Sequence, residues 1–175
     1  MIFGRLFRRE TAADAIASAL YGAIVARARN PILYEKFGVP DTVSGRFEMV
    51  VFHVILVLER LKAVPENTVG QRIFDLYCKD MDNSLREMGI GDLGVPKRMK
   101  KMAEAFYGRA EVFRQALSAR DSNGLARAFA RNVFGQDTES ARLLAAYALE
   151  TADALAGIDV MNEPSRFGAT VENAA

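Results

Sequence analysis

The chain has 175 residues, half of them apolar and about a quarter charged, a balance that suits one soluble domain with one core. Its formal net charge is only +1, so general nucleic-acid binding gets no support, and any charged partner must be met by a local patch. Cys78 is the only cysteine, which excludes an intrachain disulfide, leaves a thiolate metal centre short of ligands and fits a reducing compartment such as the cytosol.

The opening "MIFGRLFRRE" mixes charges and has no long apolar core, so no signal peptide is expected. Ile2, Phe3, Leu6 and Phe7 can share one helical face, with Arg5, Arg8 and Arg9 opposite. That is the pattern of a short interfacial anchor for anionic lipid. Phe3, Arg5, Leu6, Phe7, Arg8 and Arg9 are therefore candidate membrane contacts, with a mobile or docked terminus as the alternative. Residues 1–10 are set apart on this ground from a helical domain over 11–157 and a loose tail over 158–175.

Helical periodicity runs almost throughout. A first helix is expected from Thr11 to Arg29, with Thr11 and Asp14 at the capping-box spacing and Ile16, Leu20 and Ile24 on one face. Asn30-Pro31 stops it and starts a short second helix that ends at Gly38. Asp41 is the expected cap of a central helix from Thr42 to about Lys62. "MVVFHVILVL" makes this the most buried element, yet it is far short of the roughly 20 residues that span a bilayer. The next helix, about Thr68 to Met88, carries a broad apolar stripe. Its opposite face offers Asp75–Lys79 and Asp82–Arg86 at i,i+4, and Gly89 is placed for a left-handed cap. Pro96 begins a long amphipathic helix to about Ala119. Gly108 inside it suggests the close passage of a neighbour, since glycine there costs about 1 kcal/mol against alanine. Further helices are expected over "NGLARAFARNVF" and from Thr138 to Ala156. The whole reads as an all-α, single-domain bundle of about six to seven helices.

Catalytic and metal chemistry find little footing. A carboxylate-bridged metal site needs Glu-x-x-His on two helices, and the chain has one histidine, His53, with no Glu three residues before it. His53 is expected to be hydrogen-bonded inside the bundle, its charged form disfavoured by Arg46 and Arg60. There is no nucleophile elbow, Walker loop or dinucleotide fingerprint. No enzyme activity and no cofactor are expected.

The segment "LREMGIGDLGVPKRMKKM", residues 85–102, is less ordinary. Lys97, Arg98, Lys100 and Lys101 crowd the first turns of a helix, where the macrodipole disfavours cations. Two partners are open: Asp82, Glu87 and Asp92 across the hairpin, or an anionic membrane or acidic protein outside. Lys97, Lys100, Lys101 and Glu104 oppose the apolar stripe, whereas Arg98, Arg109 and Tyr107 border it. Asp80 lies at the edge of its own stripe, which suggests either a pair with an arginine of a neighbouring helix or a carboxylate in a recognition groove.

Three stretches carry a resemblance: "ARNPILYEKFGVPDTVSGRFEMVVFHVILVLERL", "FDLYCKDMDNSLREMGIGDLGVPKRMKKMAEAFYGR" and "RNVFG". Together they resemble the ubiquinol–cytochrome c chaperone family over roughly residues 20 to 150. "VPDT…GRF" and "DMD…LREMGIGD…VPK" are the most specific parts, and Gly94 stands where a small polar residue is expected. The resemblance implies a non-enzymatic assembly factor that binds newly made cytochrome b and promotes assembly of the cytochrome bc1 complex. It implies a small co-chaperone and the ribosome exit region as further partners. It also implies a bacterial member, cytoplasmic and peripheral to the inner membrane. The client-binding candidates are Asp80, Asp82, Arg86, Lys97, Arg98, Lys101, Tyr107 and Arg109, with Asp41 and Arg46 as a second cluster. The alternative is a membrane-peripheral protein that holds lipid or quinone in an apolar pocket.

Overall fold

A computed structural model describes residues 11–65 and 68–169. The candidate anchor Phe3, Arg5, Leu6, Phe7, Arg8 and Arg9 lies outside them. Among the described residues there is no strand, and the chain is an all-α bundle. Its order is α1 (Ala12–Ala28), α2 (Pro31–Glu35), α3 (Val43–Leu61), α4 (Val69–Glu87), α5 (Val95–Ser118), α6 (Ser122–Phe129), a π-helical turn (Ala130–Phe134), α7 (Glu139–Ala156) and α8 (Arg166–Ala169).

The helix starts follow local hydrogen-bond chemistry. Thr11 accepts from the Asp14 backbone N–H, and Asp14 reaches back to Thr11, which completes the expected capping box. The cap of α3 is Thr42, whose hydroxyl accepts from the Gly45 N–H, and not Asp41 as the spacing suggested. Asp41 instead takes the Arg46 Nε at 2.6 Å, which holds its carboxyl below the usual range. Gly45 sits under the Pro40 carbonyl, where an added Cβ would fall 2.0 Å from that oxygen. At the end of α4, Gly89 takes φ +81, and the Gly89 and Ile90 N–H groups close onto the Arg86 and Leu85 carbonyls.

α3 is the axis of the core. It meets α1, α4, α5, α7 and the π-helical turn, and Met49 through Val57 are buried without a break. Phe52 lies against Phe113 of α5 and Phe129 of α6, with ring centroids 5.2 and 5.0 Å away. Burying one such side chain stabilises by roughly 1.5–3 kcal/mol, so a run of this length makes α3 the organising element.

A chain of buried hydrogen bonds ties α3 to the elements around it. Arg27 of α1 donates Nε–H to the Tyr147 hydroxyl (3.0 Å), Nη1 to the Phe167 carbonyl and Nη2 to Thr151. His53 Nε2 lies 2.8 Å from the same hydroxyl, and Nδ1 lies 2.7 Å from the Met49 carbonyl. The consistent assignment has Nδ1–H donating to Met49 and Tyr147 O–H donating to Nε2, which keeps the ring neutral. Burial pushes the imidazole down to about 3, with the Arg27 charge adding to it. The hydrogen-bonded core histidine is as expected, but its cause is not: burial and Arg27 act on it, in place of Arg46 and Arg60.

Three further expectations are corrected. The stretch after α7 is packed, not loose, as far as Phe167: Ile158, Val160 and Phe167 are buried, and α8 lies on α1. Gly108 has nothing within 4 Å of where a Cβ would sit, so no helix passes close there. Asp75 accepts from Gln71, and no ion pair joins it to Lys79, whereas Arg86–Asp82 forms as expected.

Candidate functional site

An open groove of about 590 Å³ runs between the start of α3 and the second half of α4. Its floor and walls are Phe47 and Val50 from α3, Met81, Leu85 and Met88 from α4, and Met102 from α5. Val43 stands at its lip, 76% exposed, and Met88 is 58% exposed. Val50, Met81 and Leu85 form a buried floor, and Val43 and Met88 are the apolar side chains open to solvent. Three methionines line the groove, and their unbranched, polarisable side chains can re-pack around partners of different shape.

The rim is charged. Arg29 ends α1 on one side, Arg46 of α3 is held by Asp41, and Asp80 of α4 faces them. Asp80 does not pair with an arginine of a neighbouring helix. Its Oδ2 accepts from the Tyr21 hydroxyl at 2.8 Å, a bond that, after burial, raises the phenol's pKa. The Arg46 guanidinium also lies 5.8 Å from the Tyr34 ring centroid, a contact that holds it over the groove mouth.

The other sequence candidates fall in four places. Arg86 bridges Asp82 and Asp92, which folds the hairpin between α4 and α5. Lys97, Arg98 and Lys101, all exposed, line a depression with Gly94 at the start of α5. Among the described residues, neither these three nor Lys100 forms an ion pair, so Asp82, Glu87 and Asp92 do not neutralise them. Arg109 is a structural member of the interior. Its Nε and Nη2 grip both oxygens of buried Glu48, at 2.8 and 2.6 Å. Burial still holds the Glu48 carboxyl above its ordinary value against that fork. Tyr107 is exposed and lies beside Phe74, with ring centroids 5.7 Å apart.

Of the sequence candidates, Asp80 and Arg46 line one groove, Asp41 is bound to Arg46 beside it, and the rest lie outside. It missed Arg29, Val43 and the groove role of the methionines. The readable signal was the outer end of the α4 stripe, where Met88 continues the apolar line beyond the neighbours that could cover it. It also missed Arg27, although Arg27 falls seven residues after Leu20 and three after Ile24, on the inward face of α1. Among the described residues no three histidine, cysteine or acidic side chains gather where they could hold a metal ion.

Residues 35–161 match the sequence profile of the ubiquinol–cytochrome C chaperone family. The chain belongs to that family. It is 45% identical to a protein from Brucella abortus whose crystal structure is described as that of a Cbp3 homolog; the match covers 88% of each chain with a TM-score of 0.76. It is also 26% identical, over 132 residues, to the ubiquinol-cytochrome-c reductase complex assembly factor 1 of Xenopus laevis. That alignment covers 73% of this chain and spans 64% of the frog protein's length. The groove's lining apart from Arg29, the α4–α5 hairpin and the "RNVFG" stretch fall inside the family match. No described helix of this family member is long and apolar enough to cross a membrane.

Proposed function

We propose that this family member is a non-enzymatic assembly chaperone that holds an apolar segment of newly made cytochrome b in the methionine-lined groove while the bc1 complex is built. The observation that carries the reading is the groove itself: open, apolar within and charged at both rims, in a chain of this family. A client taken from a membrane protein needs an apolar surface to replace lipid and polar groups at its ends. An enclosed cavity would favour a lipid or quinone carrier instead, and this groove opens to solvent. Arg46, Asp41 and Asp80 are the charged residues proposed to meet the client, with Arg29 beside them. His53 and Cys78 do not line the groove, so the reading asks nothing of them. A small co-chaperone and the ribosome exit region are further proposed partners, with the protein at the cytoplasmic face of the inner membrane.

The test is capture of cytochrome b by the wild type and by Val43→Asp with Met88→Glu. Both positions are exposed, and an acid at the first position of α3 suits the helix dipole. The variant is expected to keep its helicity and melting temperature and to lose most of the captured cytochrome b. A folded variant that captures as well as wild type would remove the groove as the client site. A wild type that captures no cytochrome b would remove the client.

A further inference from the structure

The hairpin that joins α4 to α5 has a composition the groove does not use. Leu93 at its tip is 97% exposed, the most open large apolar side chain described. Shortly after it, Lys97, Arg98, Lys100 and Lys101 are all exposed, and among the described residues none forms an ion pair. Lys97, Arg98 and Lys101 share one depression with Gly94, so their charges converge beside Leu93. Two of the acids that could have neutralised them are engaged elsewhere, since Arg86 takes Asp82 and Asp92. Glu104, three residues beyond Lys101, forms no bridge to it. The helix dipole adds positive potential at this end of α5. The fold therefore spends stability to keep four cations together and unpaired around one bare leucine.

We infer that this hairpin tip docks on an anionic lipid bilayer, with Leu93 entering the headgroup boundary and Lys97, Arg98, Lys100 and Lys101 facing the lipid phosphates. Clustered cations beside an exposed apolar side chain fit such a surface by charge complementarity and by shallow insertion. An acidic protein would match the cations but give Leu93 no apolar phase. The inference goes beyond the client reading and holds whether or not the groove takes cytochrome b. Docked in this way, the protein would turn the adjoining end of the groove towards the membrane from which a client emerges.

The experiment is co-sedimentation of the full chain with phosphatidylcholine vesicles, with and without about a third phosphatidylglycerol. Wild type is expected to bind only the anionic vesicles and to be released as salt rises. Each cation near such a surface is worth roughly fivefold in partitioning, so Lys97→Gln with Lys101→Gln lowers binding on the order of 30-fold. Lys97→Arg with Lys101→Arg retains it, and Leu93→Ser weakens it at every salt concentration. Should the glutamine pair fail to fold, Lys100→Gln with Leu93→Ser reads the same surface. The inference is overturned if wild type ignores anionic vesicles or if the folded hairpin variants bind like wild type. It also falls if binding is lost only when Arg5, Arg8 and Arg9 are made glutamine.

Discussion

His53 should make this protein acid-labile in a definite pH window. In the unfolded chain its imidazole takes a proton near pH 6.5. In the folded chain it resists until about pH 3, because it is fully buried, its Nε2 accepts from Tyr147 and Arg27 lies close. The folded value is depressed, so the stabilisation is complete above pH 6.5 and is lost as pH falls towards 3. Well inside that window the loss approaches about 1.4 kcal/mol per pH unit, and it comes to about 2.3 kcal/mol between pH 6.5 and 4.5. For a chain of this size that lowers Tm by roughly 5–10 °C. Glu48 works in the opposite sense: its value is raised, so its contribution is greatest at low pH and is lost as pH rises through the folded value. Comparison with His53→Gln cancels that contribution and those of the surface acids. The assay is urea unfolding of both proteins at half-unit steps from pH 7 to 4.5. The wild-type curve should fall more steeply by about 1.4 kcal/mol per unit, although His53→Gln starts lower for want of the Met49 hydrogen bond. His53 is the only histidine, so NMR of the ring nitrogens reads it directly, and a neutral Nδ1–H form should persist throughout. Parallel stability curves, or an imidazole that titrates near pH 6.5, would refute the burial argument.

Three other expectations can be measured on the same instruments. Arg109→Ala leaves Glu48 buried without its fork and should cost about 3–5 kcal/mol in urea unfolding, whereas Arg109→Ala with Glu48→Leu should recover most of it; equal losses in both would deny that the stranded charge is the cause. Gly45→Ala puts a Cβ against the Pro40 carbonyl and should cost about 2 kcal/mol or more, since backbone must move; a neutral effect would mean that the loop before α3 is not held there. Gly108→Ala meets open space and should stabilise by up to about 1 kcal/mol, whereas a loss would revive the helix contact that the sequence suggested.

The helices were legible because their signals are local. Thr11 with Asp14, Pro31 after Asn30 and Gly89 after Met88 act on backbone within one turn, and the structure uses each one. What failed needed distance. Asp41 and Thr42 are both good caps by type, and only the seat of Gly45 under Pro40 leaves Thr42 as the hydroxyl that reaches the Gly45 N–H. Gly108 carried a true propensity cost, but a glycine can lie on an open face as well as at a crossing. The stretch from 158 to 169 has no period, and it is held by Phe167 and by a carbonyl that faces Arg27, across 140 residues of chain. The candidate site divides along the same line. Charged positions could be picked out by type, but whether Arg109 faces a client or Glu48 depends on how α3 and α5 meet.

An open apolar groove is unstable towards closure, because its walls gain by covering each other. Something must hold them apart, and polar contacts do so at a fixed spacing. Glu48–Arg109 joins α3 to α5, Tyr21–Asp80 joins α1 to α4, and Asp41–Arg46 with the Gly45 seat fixes the start of α3. Between them these contacts fix all four helices that frame the groove. Glu48–Arg109 is not the most stabilising choice at its position, since well-packed apolar side chains commonly replace a buried ion pair at no loss or with a gain. Such replacements set no distance, and helices joined by them could slide until Val43 and Met88 were covered. On this argument Arg109, which by type looks like a contact for a partner, serves it indirectly through Glu48, and Asp41, Arg46 and Asp80 hold the frame as well as facing the groove mouth. They keep a surface open that the hydrophobic effect would otherwise close.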